Sequence, residues 1–197
     1  MRNSKINVRS ATKEASHERI VAAAARAIRH SGYDGTGVAD IMKEAGLTHG
    51  AFYAHFPSRE VMLAEASDRA CAEAAAAAAD VVAGAPPDKA LECMVRAYLS
   101  REHQEHAETG CPLAALGSET PRQAPEVRRT TTRHIKAMVD LVARQSPDWG
   151  RADTHEQALV TIATMVGALL LARAVDEPAL ADRLREAALK RLVPVQA

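Results

Sequence analysis

Between Glu14 and His30, Ile20, Ala23, Ala24, Ala27 and Ile28 recur at three- and four-residue spacing, one apolar helix face. Ser31-Gly32 ends that pattern, with glycine suited to a left-handed cap. After the turn Gly35-Thr36-Gly37, Val38, Ile41 and Ala45 mark a short helix over Val38–Ala45. Gly46 breaks it, and Thr48 reads as the N-cap of a second short helix reaching about His55. Pro57-Ser58 opens a long helix over Ser58–Ala83, which contains the run Ala74–Ala79. Gly84-Ala85-Pro86-Pro87 breaks the chain, and Asp88 is expected to cap a helix running to about Ala107. Further helices are expected over Pro112–Gly117, Pro125–Gln145, Asp153–Val175 and Ala179–Leu192. Met1 to about Lys13 is polar and basic with nothing to bury, and is expected to be a flexible arm. The pattern predicts an all-α chain of nine helices and no strand.

Composition supports that class. Alanine is abundant, β-branched and aromatic residues are sparse, and strand formers are few. Formal net charge is zero, yet residues 1–60 hold nine Lys/Arg against six Asp/Glu, a surplus of three positive charges. A basic N-terminal third on a neutral chain points to one face built for an anion. Cys71, Cys93 and Cys111 lack zinc-finger spacing. No apolar run has the length of a membrane span, and no hydrophobic signal core opens the chain. The expectation is a cytoplasmic protein with reduced thiols, without cofactor, metal or membrane partner.

The stretch Gly46 to Glu60, GLTHGAFYAHFPSRE, holds three of the chain's six aromatic residues. Two short helices joined at a glycine form a helix-turn-helix, whose second helix presents its N-terminal residues to base edges while flanking groups hold phosphates. Thr48 and His49 stand at that N-terminus and Tyr53 lies about one turn on. Phe52 and Phe56, four apart, read as the core studs beneath. Tyr53 also suits edge packing, His55 a structural hydrogen bond, and Arg59 a solvated cap charge.

Gly32-Tyr33, Thr36, Val38, Ile41, Ala45-Gly46-Leu47, Gly50-Ala51-Phe52-Tyr53, His55-Phe56 and Ser58-Arg59-Glu60 resemble the N-terminal domain of TetR-type transcriptional repressors. The resemblance covers about the first 65 residues. After the polar arm over 1–13, it implies a helix-turn-helix DNA-binding domain over 14–60 and a ligand-binding and dimerisation domain over 61–197. It places phosphate contacts on Thr36, Tyr53, His55 and Arg59, and base readers around Met42, Thr48, His49 and Gly50. Three positions depart from the family pattern. His49 stands where lysine or arginine is usual, Gly37 where serine or threonine is usual, and Met42 where alanine is usual.

In the body, Gly110-Cys111-Pro112 to Glu119 resembles a motif of one subset of the family at a short helix. Pro112 suits the first helical position, which puts Cys111 at the cap, where the helix dipole favours thiolate. Cys111 is therefore read either as a redox or electrophile sensor or as a small packing residue. An effector pocket is expected among Met94, Tyr98, Cys111, Leu113, Leu116, Met138, Leu141, Trp149 and Met165. His103-Gln104-Glu105-His106 matches neither HExxH nor HxxEH and reads as a solvated helix end. Ala158, Ile162, Met165, Val166, Leu169 and Leu170, with Leu184, Ala188 and Leu192, exceed what one core needs, and the family's two-fold interface of last helices is expected there. Together these features predict a homodimeric, effector-released regulator, most simply a repressor, on a pseudo-palindromic double-stranded operator. The alternative is a metal-responsive or constitutive DNA-binding protein. GxSxG, HExxH, a P-loop and a dinucleotide fingerprint are absent, so an enzyme is not expected.

Overall fold

A computed structural model describes residues 2–146 and 148–193. The described residues are helical, in the order α1 Arg2–Ser31, α2 Val38–Glu44, α3 Arg59–Gly84, α4 Ala90–Tyr98, α5 Arg101–Glu105, α6 Pro112–Leu116, α7 Pro125–Ala143, α8 Ala152–Ala174 and α9 Pro178–Leu192. Four short 3-10 segments lie between them, and no strand occurs among the described residues. Pro147, in the expected loop after α7, lies outside the described residues.

The helix stops follow the glycines. Gly32 and Gly46 both have positive φ, at 76° and 71°. Each lets the backbone reverse without a Cβ penalty. Ser58 caps α3, its hydroxyl accepting from the Val61 N–H at 3.4 Å. Three expectations change. The segment expected as a flexible arm continues α1 as helix from Arg2, because no glycine or proline interrupts Arg2–Ser31. The helix expected from Asp88 to Ala107 is two, α4 and α5, broken at Leu99-Ser100. Side chains accept the loss of ladder bonds there. Arg185 donates to the Leu99 carbonyl at 2.8 Å, the His103 ring lies 2.7 Å from the Tyr98 carbonyl, and Ser100 caps α5. The second helix of the helix-turn-helix is a 3-10 segment, His49–Ala54, rather than an α-helix. Gly50 inside it weakens α-helix preference.

Two apolar cores form. The first joins Ile20, Ala24 and Ile28 of α1 to Ile41, Phe52, Phe56, and Met62, Leu63 and Ala66 at the start of α3. Leu116 of α6 and Val127 of α7 also enter it. The second joins Met94, Val95 and Tyr98 of α4 to Cys111, Leu113, Met138, Val142, Ile162, Met165 and Leu169. α3 packs on α1 near its start and on α7 along its length, so one helix runs through both cores.

Candidate nucleic-acid interface and internal cavity

The recognition segment is fixed from beneath. Phe52 and Phe56 are buried and their rings stack at 5.6 Å. Tyr53 meets Phe52 edge-on at 5.2 Å, and the His17 ring stacks on Phe56 at 4.5 Å. Above that layer Thr48, His49, Gly50 and Ala54 are exposed, and Tyr53 is 74% exposed. A Cβ built on Gly50 would meet nothing within 4 Å. Thr48 has the extended backbone of a cap but makes no side-chain cap bond, so its hydroxyl is not spent on the helix.

The remaining DNA-contact expectations divide. Met42 is fully buried in the first core and cannot touch a base, which corrects its assignment as a reader. On its helix it is Lys43 that is exposed. Thr36 is buried and its hydroxyl donates to the Gly32 carbonyl at 2.7 Å. Arg59 donates to the Tyr33 and Thr36 carbonyls, so it holds the turn before α2. His55 is half-buried, with Nδ1 sealed and unpartnered. Burial first, then the charges of His17 and Lys13, lowers its pKa and keeps the ring neutral near pH 7.

Beside the shared packing of Leu116 and Val127, polar side chains tie head and body. Arg29 of α1, 3% exposed, donates to the Gly110 carbonyl at 3.4 Å and to Glu73 of α3 at 2.7 Å. Glu119, just after α6, accepts from the Tyr33 N–H at 2.8 Å. Its carboxylate lies so close to Gly32 that a Cβ there would stand 2.5 Å from Oε1. The short helix α6 therefore has one end at Gly110-Cys111 and the other locked into the head.

The Gly110-Cys111 end borders a partly enclosed cavity of about 150 Å³ between α3, α4 and α7. Ala74, Ala77, Ala78 and Val81 of α3 form one wall, and Met94, Tyr98, His103, Cys111 and Met138 face them. Of the expected pocket residues, Met94, Tyr98, Cys111 and Met138 are brought together here. Leu113 lines a separate, more open groove between α7 and α8; Leu116 plugs into the head's core; Met165 is fully buried packing, and Leu141 packs beside it. Trp149 is 54% exposed under Arg144, 5.5 Å from its ring centroid, and lines neither space. Cys111 does occupy the α6 N-cap, but it is buried, and burial raises the thiol pKa despite the neighbouring Tyr98 hydroxyl and the α6 backbone N–H groups. The expected thiolate is not favoured. His103 was read as part of a solvated end, but it lines the cavity with its ring edge-on to Tyr98 at 4.7 Å.

The expected interface residues mostly face inward. Ala158, Ile162, Met165, Leu169 and Ala188 are buried within their own chain, and Val166, Leu170, Leu184 and Leu192 are half-buried. The opposite side of α8 is bare: Leu159 is 46%, Val160 63% and Leu171 50% exposed, with Ala163 between them. α8 is apolar all round, so spacing could not select its outward face. The open groove, lined by Ile135, Leu159 and Ala163, continues that stripe.

These parts define a class: a helix-turn-helix head with an exposed recognition segment, carried on an all-helical body that encloses a cavity. Residues 20–66 match the family model for bacterial regulatory proteins of the tetR family, and residues 87–188 match the tetracyclin repressor-like C-terminal domain. The chain belongs to the TetR family of DNA-binding transcriptional regulators. It is 31% identical over 169 residues to the uncharacterized HTH-type transcriptional regulator Rv0196 of Mycobacterium tuberculosis, covering 79% of this chain and 83% of that one. It is 26% identical over 160 residues to LmrA of Bacillus subtilis, covering 79% and 85%. Among solved structures, a TetR transcriptional regulator from Chloroflexus aurantiacus superposes with a TM-score of 0.76 at 27% identity, covering 92% and 93%. E. coli NemR in its reduced form superposes with a TM-score of 0.77 at 19% identity, covering 92% and 97%, which is a likeness of fold.

Proposed function

We propose that this chain is an effector-released repressor that works in the cytoplasm as a homodimer on a pseudo-palindromic operator. The observation that carries this reading is the bare recognition face over a locked aromatic layer. Thr48, His49 and Gly50 read bases in the major groove, while the Tyr53 hydroxyl and Lys43 contact phosphates. Thr36 and Arg59 serve the same surface indirectly by fixing the turn that leads into α2. His55 adds a neutral donor rather than a charge.

A second copy covers the stripe Leu159, Val160, Ala163 and Leu171. Contrary to the expectation that no apolar run has the length of a membrane span, Asp153–Ala174 is a helix of 22 residues, long and apolar enough for one; only 28% of its most apolar stretch is buried, which supports a protein partner on its bare side. The DNA-binding head extends past residue 60, since Met62, Leu63 and Ala66 of α3 pack in its core.

The effector occupies the cavity beside Cys111. Its arrival displaces Gly110 and the N-terminal end of α6. The shift reaches the head through Arg29 and Glu119 and alters the spacing of the two recognition segments. Such a ligand must bind the released state more tightly, or the equilibrium does not move. Burial of the Cys111 thiol favours ligand occupancy over thiol modification as the trigger. The test is footprinting and anisotropy with DNA from upstream of the protein's own gene. A protected two-fold site of about two turns, lost on substituting Thr48 and His49, supports the reading. Equal affinity for unrelated DNA at every salt concentration contradicts it.

A further inference from the structure

The polar groups around one end of the cavity are unequal in kind, and that inequality selects a ligand. The Tyr98 side chain is 8% exposed, lines the cavity, and its hydroxyl is sealed from solvent without a protein partner. The Cys111 thiol, a weak hydrogen-bonding group, is its polar neighbour and leaves the hydroxyl short of a full partner. Arg173, from the last turn of α8, lies behind Gly110 and His103. A Cβ on Gly110 would stand 3.0 Å from Arg173 Nη2 and 2.7 Å from His103 Nε2. Two of the guanidinium nitrogens donate to the Gln104 and His103 carbonyls, while Nη1 is buried without a partner. No carboxylate lies within ion-pair distance of Arg173 among the described residues, although the charge of Glu108 reaches it.

His103 cannot balance that charge. Nε2 accepts from the Cys111 N–H at 2.9 Å, so the ring proton sits on Nδ1 and donates to the Tyr98 carbonyl at 2.7 Å. Both nitrogens are occupied in the neutral tautomer. What is left over is a hydroxyl proton in the cavity wall and, behind the wall, a positive charge with no ion-pair partner among the described residues. The opposite wall is alanine, Ala74, Ala77 and Ala78, whose small side chains leave the space open. Neither Arg173 nor Gln104 lines the cavity itself; Gln104 Oε1 is also unpartnered, but it is neutral, whereas the charge of Arg173 acts from behind Gly110 and His103.

We propose that the cavity takes a small apolar molecule with a single carboxylate head. The head accepts from the Tyr98 hydroxyl and sits in the field of Arg173, and the apolar body lies along the alanine wall of α3. This rests on the reading of the cavity as the effector site and adds the chemical class of the effector.

Calorimetry at pH 7.5 on the full chain, with 4-butylbenzoate, 4-butylbenzamide and 4-butylbenzylamine as probes, tests it. The acid should bind roughly tenfold or more tightly than the amide, as expected when a charged group joins a buried hydrogen bond, and the amine should bind weakest. Tyr98→Phe should lower affinity for the acid severalfold while costing little thermal stability, since its hydroxyl has only the weak Cys111 thiol beside it to lose. Arg173→Gln should bring acid and amide within about twofold of each other. If that variant does not fold, Tyr98→Phe and the wild-type ranking decide. Ala78→Leu fills the cavity and should abolish binding of all three probes. Equal binding of acid and amide that Ala78→Leu abolishes overturns the carboxylate assignment and leaves the cavity as the effector site. Binding untouched by Ala78→Leu overturns the cavity reading itself.

Discussion

Glu119→Ala should loosen the head from the body. Glu119 accepts from the Tyr33 N–H at 2.8 Å across 86 residues of sequence. The substitution removes the acceptor and leaves that amide without a protein partner in a part-buried turn. A buried donor left unpaired costs about 1–3 kcal/mol. Glu119 is half-buried, so water can reach the amide, and the lower half of that range applies. For a chain of this size each kcal/mol moves the melting midpoint by about 2–4 °C, so a drop of roughly 2–8 °C is expected. Glu119→Gln keeps a carbonyl acceptor and should lose less than half as much. Thermal denaturation followed by circular dichroism measures both. In parallel, the fold-change in DNA affinity caused by a saturating effector should shrink in Glu119→Ala. A midpoint within about 1 °C of wild type, or Gln as harmful as Ala, would refute the assigned strut.

Further outcomes follow from the same geometry. Tyr53→Phe should weaken binding to all DNA sequences alike by roughly 2–10-fold, the loss of one phosphate hydrogen bond; anisotropy with operator and scrambled duplexes checks this, and a loss confined to one sequence contradicts it. Val160→Glu should yield a folded monomer by light scattering, whereas Leu169→Ala, fully buried within the subunit, should lower stability by about 2–5 kcal/mol in urea denaturation. His55, His103 and His134 all have pKa values lowered by burial. Their neutral forms favour the fold, so stability is complete above the ordinary histidine value of about 6.5 and declines as pH falls through their lowered values; melting midpoints from pH 8 to pH 5 should show that sign.

Much of the head was legible in the chain. Gly32 and Gly46 announced their turns because only a residue without Cβ takes positive φ cheaply. The spacing of Phe52 and Phe56 announced the layer beneath the recognition segment. What stayed hidden depended on distant partners. Nothing near Leu99 signals a helix break, since the carbonyls freed there are taken by Arg185 and His103. Arg29, Arg173 and Glu119 read as ordinary charges until the fold brings Gly110 and Tyr33 beside them. Met42 was placed by family position, yet the face it occupies is set by packing against the first core. The outward side of α8 was beyond reach, because a helix apolar all round carries no direction. Nor does the run Ala74–Ala79 announce by itself that three of its alanines border the cavity.

The central claim is that the exposed segment His49–Ala54 docks in duplex DNA and that the body sets the spacing of two such segments. Fluorescence anisotropy of a duplex from upstream of the gene, titrated from low to physiological salt, tests it most directly. Log affinity should fall linearly with log salt, with a slope near −0.9 per phosphate contacted, and Lys43→Ala should reduce the slope by about 1. A chain that is folded yet shows no salt-dependent affinity for DNA, or a slope unchanged in Lys43→Ala and Tyr53→Phe alike, would contradict it.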